Sequence, residues 1–287
     1  MMIREYLEKL RVPGFRNPKP VVAVLRLSGV IGQIGNPIRQ GLTAVDLMRS
    51  IERAFSLPKL KAVALQVNSP GGSPVQSSLI FKRIRAMAEE KEIPVFAFAE
   101  DVAASGGYLL ACAADEIYAD ESSVVGSIGV ISSGFGFVEL LEKLGVERRI
   151  HTEGKNKSML DPFQKENQQD VKRLKELQGD IYTTFTNIVK SRRGDKLKKP
   201  YSKLFSGEFW TGRKSLELGL IDGIGELTSV MQERYGERVK LRPVSERKSW
   251  LKQKFTMWLP QGPNVGSWAG ELISAAEERA LWGRFGL

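Results

Sequence analysis

The 287-residue sequence has one cysteine, Cys112, and one histidine, His151. A lone thiol excludes an internal disulfide, and Cys112 lies in an apolar run where it reads as core. A single histidine leaves a serine nucleophile two routes: it uses His151, or it works without histidine. No stretch approaches the ~18 uncharged apolar residues of a membrane-crossing helix. The start, Met1-Met2-Ile3-Arg4-Glu5-Tyr6-Leu7-Glu8-Lys9, is too charged for a signal peptide. The expected location is therefore the cytoplasm or the periphery of a membrane. The net charge of +10 permits attraction to anionic surfaces. Its basic residues form no stripe with interleaved aromatics, so no nucleic-acid partner is expected. No metal and no cofactor are expected either.

With 42% hydrophobic and 26% charged residues, the chain is globular and long enough to bury a large core. Its signal is glycine in pairs, placed between apolar strands and helices. Lys61-Ala62-Val63-Ala64-Leu65-Gln66-Val67 reads as a strand entering Asn68-Ser69-Pro70-Gly71-Gly72-Ser73. A helix follows over Val75 to Glu90, with Leu79, Ile80, Ile84 and Met87 at helical spacing. Ile93-Pro94-Val95-Phe96-Ala97-Phe98-Ala99 reads as the next strand, running into Asp101-Val102-Ala103-Ala104-Ser105-Gly106-Gly107-Tyr108 and a run of helix formers. Ser105 thus falls at a strand-to-helix turn, which pushes its hydroxyl outward. A closely packed turn with no chemistry would use the same small residues. Two successive units of this kind bring both turns to one edge of a parallel sheet, because crossovers are right-handed. One turn then carries a hydroxyl while the other exposes backbone N–H groups beside it, as acyl transfer requires.

Taken in order, residues 1–20 form a basic lead-in and 21–153 an α/β core. Residues 154–242 hold a polar loop, a long helix and a closing α/β segment, and 243–287 form a basic tail. Within the core, Pro20 to Leu27 reads as a strand and Thr43 to Phe55 as a helix. Short strands follow over 115–120 and 126–131. A helix over Phe137 to Leu144 is closed by Gly145, and a strand of alternating pattern spans 146–151. The long helix spans 164–192, with Val171, Leu174, Leu177, Ile181, Phe185 and Ile188 on one stripe. A helix over 211–222 and a last strand over 239–242 complete it. In the tail, Trp250, Leu251, Phe255, Trp258 and Leu259 share a helical face, with Lys248, Lys252 and Lys254 elsewhere on the wheel. That pattern suits peripheral membrane contact through residues 247–259, and equally packing on the body or on a neighbouring subunit.

Four motifs in order, Asn68 to Ser73, Ala103 to Tyr108, Gly126-Ser127-Ile128-Gly129-Val130, and Lys155-Asn156-Lys157-Ser158 with Asp161-Pro162-Phe163, resemble the signal peptide peptidase A family of serine proteases. The resemblance covers roughly residues 20–240. It implies an α/β fold of the Clp protease and crotonase type, with repeated ββα units, a largely parallel sheet and a helical extension. It also implies a Ser–Lys dyad in which Ser105 is the nucleophile, Lys157 the general base and Ser127 the serine that orients the base. Gly72 and Gly106 would supply the oxyanion hole, and Ser69, Pro70, Gly71, Ser73 and Gly129 would bind substrate. A free lysine, with a pKa near ~10.4, is neutral only about one part in a thousand at pH 7, so a lysine base needs desolvation. Register against Ser158 and Asp161-Pro162-Phe163 favours Lys157 over Lys155, and His151 reads as a strand-end residue. The partners implied are hydrophobic peptides, bound as an added strand, and further copies of the chain in a ring or dome. Bacterial members usually carry an N-terminal membrane anchor, and none is expected in these residues. A crotonase-like acyl-CoA-binding protein and a non-catalytic scaffold for membrane proteins are the competing readings.

Overall fold

Parallel strands buried on both faces read as continuous apolar runs, and Val21-Val22-Ala23-Val24-Leu25 is such a run. A computed structural model describes residues 19–33, 41–198, 200–244 and 279–286. It shows one eight-stranded sheet built around β1 (Val21–Ser28), β2 (Leu60–Ser69) and β3 (Val95–Ala104). β1 pairs in parallel with β2 and β2 with β3. β8 (Lys240–Val244) closes one edge against β1. At the other edge β3 is shared along its length: β4 (Glu116–Ala119) pairs its first half and β5 (Val124–Gly126) its end. β6 (Phe209–Thr211) pairs antiparallel with β5, and β7 (Gly223–Ile224) pairs with β4.

Helices cover both faces. α1 (Ala44–Phe55), α2 (Pro74–Lys91) and α3 (Gly106–Ala111) lie over one face, where Ile51, Phe55, Ile80 and Ile84 meet Leu25, Leu65 and Leu110 in a single buried cluster. On the other face, α8 (Leu227–Tyr235) buries Leu227 and Met231 against Val22, Val24, Ala64, Phe96 and Phe98. Helix starts follow side-chain caps. Thr43 accepts from Asp46 N at the head of α1, and Ser73 from Gln76 N at the head of α2.

The expected α/β architecture is present, but several expected elements differ. The strand expected over 126–131 stops at Gly126, because Ser127 turns to positive φ (53°) and donates its N–H to Glu208 O (2.7 Å). The alternating stretch 146–151 is not a strand: no described strand pairs with it, and Val146 stays exposed. The long helix, α5 (Gln168–Arg193), begins four residues later than expected, where Asn167 caps Gln169 N (2.9 Å). Of its predicted stripe only Phe185 is buried. The helix expected over 211–222 ends sooner, as α7 (Gly212–Glu217). Most of the lead-in, and the segment 247–259, lie outside the described residues. Phe285, beyond them, packs its ring on Phe209 (centroids 5.0 Å).

Candidate active site

The turn after β2 is held from within. Ser69 is fully buried, donates to Gly29 O (2.6 Å) and accepts from Gly71 N (3.2 Å). Pro70 and Gly71 are buried beside it. These residues brace the turn, and Ser73 caps α2, so their side chains serve the loop before any ligand. Gly71 has φ +102°, and a Cβ there would stand 2.8 Å from Ser105 Cβ and 2.9 Å from Gly106 N. The two glycine turns therefore touch. Gly72 (φ +141°) faces Ile31 so closely that a Cβ would overlap the Ile31 carbonyl. Ile31 N donates to Gly71 O (2.8 Å) and Ser73 N to Ile31 O (2.7 Å). This bridge turns Gly72's own N–H away from Ile31, and that N–H has no hydrogen-bond partner among the described residues.

β3 delivers Ser105 into the same corner. Ser105 adopts φ 52°, ψ −122°, and its hydroxyl makes no capping bond to α3. A non-glycine residue in such a conformation is strained and persists only where its surroundings hold it. Here Ser105 N donates to Gly126 O (2.8 Å), and Leu109 N donates to Ser105 O (3.0 Å). The register Ala104 to Gly126 then sets Ser105 beside Ser127 across β3 and β5. Ser127 is buried, also at positive φ. Gly106 is buried against Ser77, and Gly129 is packed on Gly207 Cα. Trp210 in β6 and Glu208 just before it support this corner: the Trp210 ring lies under Gly126 and Glu208 O receives Ser127 N. Sequence reading passed over both, since three-residue β6 has too little pattern to show itself.

Lys157 makes no side-chain hydrogen bond to Ser105 or Ser127 among the described residues, and it lies on an exposed arm. None of residues 129–184 is buried. Ile131, Phe135 and Leu144 are 68%, 80% and 64% exposed, and α4 (Val138–Leu144) buries nothing. This arm holds itself together at its base: Phe137 N donates to Pro162 O (2.6 Å), Phe137 stacks near Phe163, and Arg148 pairs with Asp161. Lys157, Lys155 and His151 are exposed on it. Asp161, four residues after Lys157, is occupied by Arg148 and Phe163 N. Lys157 itself has no ion-pair partner among the described residues.

Behind Ser105 the environment is dry. Burial pushes the Cys112 thiol up to about 12 and the Tyr108 phenol well above its ordinary value. Tyr108 donates to Leu220 O (2.7 Å). Burial alone would raise the Asp222 carboxyl. Hydrogen bonds from Arg193, Lys196 and Ile117 N–H outweigh it and hold that carboxyl below the ordinary value.

A mostly parallel sheet with two touching glycine turns at one edge is the α/β fold of the Clp protease and crotonase type that the sequence motifs implied. Comparison with known proteins narrows it. The profile of Peptidase family S49 matches residues 87–241. An Enterococcus faecium protein named as a signal peptide peptidase, SppA, is 31% identical over 285 residues, covering 96% of this chain and 80% of that one. A solved membrane-bound stomatin-specific protease, 1510-N, in complex with a substrate peptide, superposes with a TM-score of 0.52 at 17% identity, covering 83% of this chain and 99% of that one. The chain belongs to Peptidase family S49. It is also 46% identical over 294 residues to a Brucella melitensis protein named as a Na(+)/H(+) antiporter, NhaA, covering 98% of this chain but 39% of that protein. The chain thus spans about two-fifths of that relative's length.

Proposed function

We propose that the chain is a serine endopeptidase that cleaves hydrophobic peptides through Ser105 and Lys157, with the lysine supplied by a second copy of the chain. The observation that carries this reading is Ser105 at φ 52°, ψ −122°, beside the unpartnered N–H of Gly72. In the reaction Ser105 Oγ attacks the scissile carbonyl while the neutral amine of Lys157 takes its proton. Negative charge develops on the carbonyl oxygen, where the N–H groups of Gly72 and Gly106 stabilise it. The protonated lysine returns the proton to the leaving amine, and water releases the acyl group. Ser127 orients the lysine.

Supply from a second copy is supported by the arm. An apolar helix with no buried residue gains nothing by staying in water, and exposed patches of this kind mark contact surfaces. The exposed ammonium of Lys157 would be stripped of water on docking, which favours the neutral base. The peptide would pair along residues 127–131, which follow β5 and leave Ile131 exposed. An acyl-CoA-binding role gives Lys157 no task, and a scaffold gives none to the strain at Ser105. Reaction with a fluorophosphonate probe across pH tests the proposal: the wild type labels, Ser105→Ala does not, and Lys157→Ala labels far more slowly near neutrality. Labelling that survives unchanged in both variants overturns it.

A further inference from the structure

β3 and α3 form a closed loop with Ser105 at its far end. The loop opens at Val95 and returns at Asp115, where Asp115 N donates to Val95 O (2.8 Å) and Val95 N donates to Asp115 Oδ2 (3.0 Å). Just before this closure, α3 runs out into the carbonyls of Cys112, Ala113 and Ala114, groups that a helix end leaves without intrahelical partners. All three are taken by guanidinium groups from two other helices. Arg192, in the last turn of α5, donates from Nε to Cys112 O (3.0 Å) and from Nη2 to Ala114 O (2.9 Å). Arg85, in α2, donates from Nη1 to Ala113 O (3.1 Å). Both also donate to Asp115 Oδ1 at 2.9 Å. Three carbonyls and a carboxylate are thus pinned at the point where the loop closes.

We infer that Arg85 and Arg192 are positioning residues for Ser105: they latch the β3–α3 loop at its closure, so that its far end holds the left-handed turn that aims the hydroxyl. The inference rests on Ser105 being the nucleophile. Neither arginine touches the glycine turns, so both act through the backbone alone. A plain helix-end role would add stability and leave chemistry untouched. A latch changes the geometry of attack, to which rate is steeply sensitive.

The test uses the full chain with a fluorogenic hydrophobic peptide and fluorophosphonate labelling, well below each variant's Tm. Arg192→Gln and Arg85→Gln are expected to lower kcat and the labelling rate by about tenfold, with KM close to wild type. Arg192→Lys is expected to recover part of the rate, because an ammonium cannot span both carbonyls as a guanidinium does. Wild-type kcat and labelling with only a lowered Tm overturn the latch. If a glutamine variant does not fold, Arg192→Lys decides alone, and a wild-type labelling rate there overturns it equally. Ser105→Ala separates the two readings. Labelling lost in Ser105→Ala but unchanged in the arginine variants removes the latch only, whereas labelling retained in Ser105→Ala removes the nucleophile and the latch with it.

Discussion

Ser105 and Gly72 depend on each other at the level of single atoms. Gly72 must lack a side chain because the Ile31 carbonyl occupies the space, and its φ of +141° is one that L residues rarely adopt. Gly72→Ala is therefore expected to push the turn off Ile31 and move the free N–H. The fluorophosphonate labelling rate should fall about a hundredfold, as for loss of an oxyanion donor, while circular dichroism still reports a folded chain. Unchanged labelling would mean that this N–H is not a donor. Cys112 gives a second check of the same region. Its thiol is fully buried and pushed up to about 12 by that burial. The native protein should leave a thiol reagent unreacted at pH 8, with one equivalent released in denaturant. Prompt reaction in the native state would show that the floor beneath Ser105 is open. Both glycine turns were legible in the sequence because a pair of glycines after an apolar strand has few other uses. The buried brace at Ser69 was not legible, since no pattern tells a serine facing a ligand from one facing the Gly29 carbonyl.

At the level of elements, the last turn of α5 is fastened to the body by charge. Arg193 is buried and donates to Asp222 Oδ2 (2.6 Å) and twice to Gly219 O, while Lys196 binds Asp222 Oδ1 (2.7 Å). Removing one partner of a buried pair strands the other. Asp222→Asn should therefore lower stability at pH 7 by about 3 kcal/mol. The Asp222 carboxyl is held below its ordinary value in the fold. Its contribution is thus complete above the unfolded value, near ~3.9 for an aspartate, and is lost as pH falls through the lower folded value. Urea unfolding at pH 7 and near pH 2 should show the gap between wild type and variant shrinking in acid, and a gap independent of pH would remove this account. The apolar stripe on α5 made the helix legible in the sequence but misled about what it packs on. Helical spacing shows that a face seeks cover and says nothing of whether the cover belongs to the same chain. The same reasoning explains residues 146–151, whose alternation predicted a strand although no strand among the described residues completes it.

The whole molecule therefore separates into a body that carries Ser105 and an arm that carries Lys157, with none of residues 129–184 buried. Ordering so long a segment costs conformational entropy that its own few contacts do not offset. Exposed Phe135, Leu140, Leu144 and Val146 are suited to offset it by burial in a partner. Under the proposed reading, a base that arrives on a neighbour's arm would make each active site the joint property of two copies. Ser105→Ala retains the lysine and Lys157→Ala retains the serine, so each is expected to be inactive alone. Co-expressed in equal amounts, they should regain about a quarter of wild-type activity, the share of sites at which a Ser105 copy meets a Lys157 copy in a head-to-tail arrangement. Leu140→Asp with Leu144→Asp, which leaves both reacting groups in place, should abolish that recovery and shift the chain to monomer in analytical ultracentrifugation. Were the pair to act within one chain, mixing the two variants would restore nothing, and the arm substitutions would leave the peptidase rate of a dilute wild-type background intact.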